Sequence, residues 1–282
     1  MKYIHLILSL MAITLSFNAS YVLAESAVEL SNTVQFELKN EAQQPYRIMV
    51  SKPEGDLPYT GGYPVVYLLD ANAFFASFHE AKRIQEQFKH AIIVGIAYPT
   101  DLPHDYLRRA YDLSPPVADE LNEPPQGGQD ELLSFIEQCV MPEIEQRFKV
   151  DKQQQTLFGH SFGGMFTIYA LFKQPELFSH YVSVSPSLWW HDHYLLAEEL
   201  KFVSEVDKGN VDVIHKSLLV IMADNDSPQE IQDAIALERR LQALSNKGLR
   251  TSIHIEADQD HMSVTSAIES KILNEVLTAR VQ

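Results

Sequence analysis

The sequence of 282 residues is poor in cysteine and in basic residues. Cys139 is its only cysteine, so an intrachain disulfide is excluded and the fold must be stabilised by a well-packed core. The 22 lysine and arginine residues are outnumbered by 38 aspartate and glutamate residues, which gives a formal net charge of −16. Because such a surface repels phosphate backbones and anionic headgroups, we expect no nucleic-acid partner.

The chain also lacks Ser/Gly-rich linkers, repeats and low-complexity segments, and single α/β domains commonly have this length. Residues 1–24 differ from the rest: Lys2 precedes an apolar run at 4–17, and small residues then favour cleavage before Glu25. This pattern predicts a signal peptide and an exported domain at 25–282, periplasmic or secreted, without stable membrane insertion after cleavage. Since the run is only slightly shorter than a membrane span, an uncleaved anchor is the alternative.

The most informative motif is GHSFG at 159–163, a G-x-S-x-G sequence. A short strand is predicted to end at Phe158, and apolar residues at helical spacing follow the motif. A serine on such a strand-to-helix turn sits in strained backbone, and glycines two positions away would avoid collisions with the neighbouring strand and helix. Ser161 is therefore a candidate nucleophile, and the Phe162 N–H a candidate oxyanion donor. The alternative is a chance match in a glycine-containing loop.

Apolar segments with the length of strands recur along the chain and alternate with helical patterns. This alternation favours an α/β fold, with a mainly parallel central sheet flanked by helices. The predicted strands lie at 33–38, 46–51, 63–69, 91–96, 156–158, 181–185, 217–222 and 251–256, and the main helices at 73–88, 129–147, 162–172 and 264–277. Pro142 is expected to kink or divide the second of these helices.

Asp70, Ala71 and Asn72 follow the buried strand at 63–69, at the end where open α/β sheets bind ligands. The backbone N–H groups of Ala71 and Asn72 are candidates to complete an oxyanion hole. In the alternative interpretation, the side chains of Asp70 and Asn72 only form a turn and a helix cap.

Residues 98–129 are rich in proline and show no steady periodicity, which is typical of a lid, a binding loop or a disordered segment. Within them, Arg108 and Arg109 are candidates to bind an anionic group, or else surface ion-pair residues. Trp189 and Trp190, the only tryptophans, follow a predicted strand end. They would either line a substrate pocket or pack as a cover over the sheet.

A metal site is not expected. His191, Asp192 and His193 are successive residues whose side chains point in different directions, and no further ligand is placed by spacing to complete a coordination sphere. We expect no metal and no cofactor.

A serine nucleophile needs a base, and the base needs an acid that orients it. Asp224 and Asp226 follow the predicted strand at 217–222, and we prefer Asp226 because it lies further out, toward the histidine loop. One of the two could instead cap the next helix. His254 lies inside a strand and is expected at its surface, whereas His261 follows the last strand on a polar loop and is the candidate base.

Six segments, taken in order, resemble the successive motifs of the putative-esterase (esterase D-like) family of α/β-hydrolases, in particular its periplasmic siderophore-esterase branch. They are YPVVYLLDANAFF, IVGIAYP, RRAYDLSPP, FGHSFGG, SPSLWW and DQDHMSV. The resemblance implies an α/β-hydrolase fold and a serine esterase, with Ser161 as nucleophile and His261 as base. Ala71 and Met262 stand where family members often have glycine. Substrates of this branch are ferric catecholate trilactones in some members and ordinary acyl or aryl esters in others.

We therefore predict a carboxylic ester hydrolase that works through an acyl-enzyme and has a small-molecule ester as its partner. Ser161, His261 and Asp226 would form the triad. A siderophore trilactone is one expected substrate, but an anionic iron chelate would be favoured only if Arg108 and Arg109 face the site. The alternatives are a general exported carboxylesterase or feruloyl-type esterase, a lipase or peptidase specificity, and a non-catalytic binding protein on the same scaffold.

Overall fold

A computed structural model describes residues 27–278; the predicted signal peptide lies outside them. From Asn32 onward the described chain is organised on one eight-stranded sheet. The strands are β1 (Thr33–Lys39), β2 (Pro45–Ser51), β3 (Tyr63–Leu68), β4 (Ile92–Ala97), β5 (Val150–His160), β6 (His180–Val184), β7 (Ser217–Ala223) and β8 (Arg250–Glu256).

The spatial order of the strands is β1-β2-β4-β3-β5-β6-β7-β8. β2 pairs antiparallel with both β1 and β4, and every other pair in the sheet is parallel. The register sets Leu68 of β3 beside Phe158 of β5, and His160 of β5 beside Val184 of β6. Because the carboxyl ends of these parallel strands meet at one edge, the segments that follow them lie close together. The predicted α/β fold with a mainly parallel sheet is confirmed.

Nine α-helices are present among the described residues 27–278. They are α1 (Ala71–Arg83), α2 (Tyr106–Asp112), α3 (Gln129–Phe135), α4 (Met141–Arg147), α5 (Phe162–Lys173), α6 (Trp190–His193), α7 (Leu195–Asp207), α8 (Pro228–Leu241) and α9 (Val264–Thr278). α5 is the most deeply placed, since all residues from 163 to 172 are buried. Its apolar composition all round is typical of a helix enclosed by the core.

Residues 98–129 differ from the expected irregular loop. They contain α2, whose N-terminus is capped by the Asp105 side chain, which accepts the Arg108 N–H. The face that α2 buries carries Arg109 and Asp112, while Leu107 is exposed. A helix of this kind has no apolar stripe, so hydrophobic periodicity could not identify it.

The helix predicted at 129–147 is present, but one π-helical turn at Ile136–Val140 joins α3 to α4. Pro142 has no backbone N–H to donate to the carbonyl one helical turn earlier. A local change in the helix hydrogen bonds is therefore expected at this point. Among residues 27–278, no helix is both long enough and apolar enough to cross a membrane.

Candidate active site

Ser161 lies on the sharp turn between β5 and α5, with φ 59° and ψ −117°. A positive φ is uncommon for a residue with a side chain, so the surrounding structure holds this serine in a strained conformation. A Cβ on Gly159 would lie 2.1 Å from the Gly163 carbonyl oxygen, so only glycine fits there. The collision predicted for a side chain at Gly163 is wrong. A Cβ there would lie 3.4 Å from Asp70 Oδ2, which is an ordinary van der Waals contact. The tighter position is Gly164, whose Cβ would lie 2.9 Å from the Val184 carbonyl oxygen.

The Ser161 hydroxyl is partly exposed and faces a second serine. Its Oγ lies 3.3 Å from the Oγ of Ser187, and the backbone N–H of Ser187 donates to the Ser161 carbonyl. The Ser161 N–H donates to the Val184 carbonyl at the end of β6. The segment after β6 therefore holds the elbow from one side.

The structure brings most of the predicted site residues to one open cavity of about 340 Å³. Those that line it are Arg109, Ser161, Phe162, Trp189, Asp226 and His261. The remaining predicted residues do not line it; they are Ala71, Asn72, Arg108 and Trp190.

His261 and Asp226 are joined by a hydrogen bond, in which Nδ1–H of His261 donates to Asp226 Oδ1 at 2.9 Å. Asp226 is 7% exposed, and its other oxygen accepts from the Ser185 hydroxyl at 2.5 Å and the Ala223 N–H at 2.9 Å. Burial alone would raise the pKa of this carboxyl, but the three hydrogen bonds outweigh it and hold the pKa below its ordinary value. His261 lines the cavity, and its Nε2 forms no hydrogen bond within the described residues 27–278.

Asp224 has a different set of contacts. Its exposed carboxylate accepts the backbone N–H groups of Asp258 and Gln259, and the Asn225 side chain donates to the Gln259 carbonyl. These bonds attach the loop after β7 to the loop that carries His261. Of the two carboxylates, only Asp226 contacts the imidazole.

His160, which precedes the elbow serine, contacts the same histidine loop. It is 2% exposed, and its Nε2–H donates to the His261 carbonyl at 2.6 Å. The two imidazole rings are 4.7 Å apart between centroids. Burial, followed by the proximity of His261, lowers the pKa of His160 to about 4, so the ring is uncharged at neutral pH.

The backbone donors predicted for the oxyanion are at the starts of two helices. Phe162 begins α5 and Ala71 begins α1, so their N–H groups have no acceptor within their own helices. Asp70 adopts a left-handed conformation with φ 50°, which turns the chain from β3 into α1. The Asn72 side chain accepts the Tyr98 N–H and donates to the carbonyls of Tyr98 and Thr100, so it fixes the end of β4.

Arg109 forms a bidentate pair with Asp70, which is 3% exposed: Nε donates to Oδ1 at 3.0 Å and Nη2 to Oδ2 at 2.9 Å. Burial would raise the Asp70 pKa, but the charge and hydrogen bonds of Arg109, with His104 nearby, hold it well below its usual range. Arg108 points elsewhere, with its guanidinium over the Tyr46 ring and 3.7 Å from Asp112.

The two tryptophans have unequal positions. Trp189 is 44% exposed at the cavity, and its indole N–H donates to Glu230 at 2.9 Å. Trp190 packs edge-on against the ring of Phe162 at 4.6 Å, and its N–H donates to the Gln126 side chain. Gln126 also contacts His191, so it attaches the segment at 113–128 to α6.

The remaining histidines considered in the sequence lie outside the cavity. His191 contacts Gln126 and His193 contacts Asp233, so these two neighbours do not converge. His254 contacts Glu256 and Lys271 at the edge strand β8. Within the described range, 27–278, no group of three His, Cys, Asp or Glu side chains is placed to hold a metal ion.

Sequence reasoning missed several residues of the site. Ser185 and Ser187 follow β6 and contact Asp226 and Ser161 respectively, and Glu230 lines the cavity from the first turn of α8. The position of SPSLWW after a predicted strand end was a usable signal for the two serines. For Glu230, the sequence offers only the spacing Ser227-x-x-Glu230, which is typical of a capping box and indicates the start of a helix.

Comparisons with known proteins agree with this geometry. Residues 39–276 match the family model described as "Putative esterase". The chain is 34% identical over 246 residues to the ferri-bacillibactin esterase BesA of Bacillus subtilis, covering 81% of this chain and 83% of that protein. It is 38% identical over 185 residues to the siderophore triacetylfusarinine C esterase of Aspergillus fumigatus, covering 62% and 63%.

Among solved structures, the fold is similar to that of the BES protein from Bacillus cereus, with a TM-score of 0.81 and 31% identity. That match covers 90% of this chain and 99% of the other. The family match, the identity and the shared fold extend over nearly all of the described sheet and its helices. The chain therefore belongs to the Putative esterase family of α/β-hydrolases.

Proposed function

We propose that this protein is a serine esterase that hydrolyses the ester bonds of a cyclic siderophore trilactone. The observation that carries this proposal is the hydrogen bond between Asp226 and His261, in a cavity that both share with Ser161 on its strained elbow. The names of the two curated relatives, both siderophore esterases, support the substrate class. A serine hydroxyl is almost wholly protonated at neutral pH, so it requires such a base.

In the proposed reaction, Ser161 Oγ attacks the ester carbonyl carbon while His261 Nε2 takes its proton. The imidazolium is stabilised by Asp226, whose depressed pKa keeps it ionised. The alcohol leaves with the proton from His261 and an acyl-enzyme remains. Water then repeats the sequence, releasing the acid and restoring the Ser161 hydroxyl.

The negative charge that develops on the carbonyl oxygen requires preorganised donors. We assign these to the backbone N–H of Phe162 and to that of Ala71 or Asn72, at the starts of α5 and α1. A Cβ at Gly163 would lie 3.6 Å from Leu69 Cβ, so the chain entering α1 runs beside the start of α5. Each such donor contributes about 3 to 4 kcal/mol in comparable sites.

The test uses the chain from Glu25 onward with two substrates, a short p-nitrophenyl ester and a catecholate trilactone. Ser161→Ala should lower kcat for both by about a millionfold, because a triad acts as a unit. A fluorophosphonate should label the unaltered protein and fail to label Ser161→Ala. Absence of labelling in folded protein would instead indicate a binding protein on this scaffold.

The same measurement separates the substrate classes. A far higher kcat/KM for the trilactone would establish siderophore hydrolysis. Turnover of the simple ester alone would contradict the trilactone and indicate a general carboxylesterase, while leaving the triad in place.

Export is a further part of the proposal. The support for it is the charged, apolar and small-residue pattern of residues 1–24. Mass determination of the protein expressed from the full sequence should show an N-terminus near Glu25. Retention of Lys2 in membrane-bound protein would indicate an anchor.

A further inference from the structure

The cavity beside Ser161 is surrounded by more negative than positive charge. Two carboxylates line it, Asp226 and Glu230, and one arginine, Arg109. Asp224, Asp258 and Asp260 stand on the two loops that carry Asp226 and His261. Among the residues that the structure describes, no lysine lines this cavity.

The charge of Arg109 is already compensated. Its Nε and Nη2 donate to the two oxygens of Asp70, a carboxylate that is almost fully buried. This pair occupies the Nε/Nη2 edge of the guanidinium, so a further anion cannot dock bidentately through that edge. The pair as a whole presents no net charge to the cavity.

Arg108, the other arginine considered for an anionic substrate, does not line the cavity. Its guanidinium carbon lies 4.9 Å from the Tyr46 ring centre and 5.4 Å from that of Tyr98. Asp112 lies beside it, with Nη2 3.7 Å from Oδ2. The condition under which a strongly anionic chelate would be favoured is therefore not met.

Glu230 is a fixed negative charge at this cavity. Its Oε1 accepts the Trp189 indole N–H at 2.9 Å, and its Oε2 accepts the Ser227 hydroxyl at 2.6 Å and the Ser227 N–H at 3.2 Å. Both oxygens therefore accept hydrogen bonds, which orient the carboxylate at the first turn of α8. Trp189, the exposed aromatic surface of the cavity, is held by the same group.

We propose that this site selects trilactones without net charge over anionic ones, and that Glu230 is the specificity-determining residue. This inference rests on the proposed trilactone hydrolysis. An iron-free catecholate trilactone is uncharged while its hydroxyls are protonated. Its ferric complex is anionic, because the negative charge of three doubly deprotonated catecholates exceeds the positive charge of one ferric ion. A ferric trihydroxamate triester also carries iron but is neutral, because three singly deprotonated hydroxamates balance the ferric ion.

The experiment compares kcat/KM for these three substrates slightly below neutral pH, with Ser161→Ala as the blank. The two neutral substrates should exceed the ferric catecholate by about tenfold or more, since a local potential of this sign depletes anions. Added salt should raise kcat/KM for the ferric catecholate alone, because screening weakens repulsion. A site that binds anions would show the opposite salt dependence.

Glu230→Gln removes the charge and keeps an acceptor for Trp189. The ratio of kcat/KM for the ferric catecholate to kcat/KM for the iron-free catecholate should rise by roughly threefold, because one negative charge close to the substrate has been removed. The matched control is Glu275→Gln, which removes the same charge from the exposed side of α9, near its C-terminal end. It should leave the ratio unchanged.

Three outcomes would overturn the inference. The first is faster hydrolysis of the ferric catecholate than of both neutral substrates. The second is slow hydrolysis of both iron complexes, which would show that the site selects for the shape of the iron-free substrate and not for its charge. The third is equal ratios for Glu230→Gln and Glu275→Gln. Failure of the underlying function looks different, because then none of the three trilactones is hydrolysed above the Ser161→Ala blank.

Discussion

His160 donates its Nε2–H to the backbone carbonyl of His261 at 2.6 Å, so the residue before the elbow serine holds the main chain of the histidine loop. The imidazole of His261 is thus positioned from two sides, by Asp226 at its ring and by His160 at its backbone. Since His160 does not line the cavity, its role in the proposed mechanism is that of a positioning residue.

His160→Phe keeps a planar ring of similar size and removes the donor. We expect kcat to fall by roughly 10- to 100-fold, because small displacements of a reacting group reduce rates by that order. The control is His180→Phe, at a histidine that is also buried but lies at the opposite end of β6. Equal losses in the two variants would show that His160 acts only through stability.

The same histidine should affect stability at acid pH. Its folded pKa of about 4 lies below its ordinary value, so the fold favours the neutral ring. The associated stability is present above pH 6.5 and is lost as the pH falls toward 4, by up to about 3 kcal/mol. Denaturant unfolding across this range should show a shallower pH slope for His160→Phe than for the unaltered protein. Parallel slopes would contradict the depressed pKa.

Substitution of the two candidate acids, Asp226 and Asp224, should lower kcat to very different extents. Asp226→Asn should lower kcat by about 10⁴-fold, since an asparagine at this place favours the wrong imidazole tautomer. Asp224→Asn retains one oxygen for the N–H groups of the neighbouring loop, and should cost less than about tenfold. Steady-state kinetics on the p-nitrophenyl ester would measure both. If Asp224→Asn were the more damaging change, the assignment of the acid would be wrong.

Removal of one partner from the Asp70–Arg109 pair should destabilise the fold strongly. Arg109→Met leaves a buried carboxylate without its counter-charge, and we expect a loss of about 3 to 5 kcal/mol in the free energy of unfolding. The double variant Asp70→Asn/Arg109→Met should recover part of this loss. Arg83→Met, which breaks the exposed pair with Glu80, is the control and should cost far less, because exposed ion pairs contribute little to stability. Similar losses of unfolding free energy in Arg109→Met and Arg83→Met would contradict the stabilising role of the buried Asp70–Arg109 pair.

Glu269 on α9 should destabilise the protein at alkaline pH. Burial raises the pKa of its carboxyl to about 7, and Oε1 is buried without a hydrogen-bond partner among the described residues. The neutral carboxyl is therefore the favoured form, and stability is lost as the pH rises from 4.5 through 7. Relative to the unaltered protein, Glu269→Gln should raise the free energy of unfolding by up to about 3 kcal/mol at pH 8 and hardly change it at pH 4.5. An equal gain at both pH values would point to packing.

The sequence supported the sheet and the position of the elbow because both depend on local patterns. Buried parallel strands are continuous apolar runs, and the G-x-S-x-G turn has a fixed spacing. α2 could not be predicted in this way, since it is attached to the core by Arg109 and Asp112 in place of an apolar stripe. The contacts of Ser185, His160 and Glu230 also required the structure, because each joins segments that are distant in sequence.

The site is completed by the last strand and the loop beyond it. His160 and His261 are 101 residues apart in sequence, and His261 enters the chain only after β8, at the edge of the sheet. Contacts of such long range are slow to form, because their loop-closure entropy must be overcome first. A nascent chain therefore contains the elbow sequence well before it contains His261, and we expect the proposed triad to assemble only when nearly the whole domain has folded.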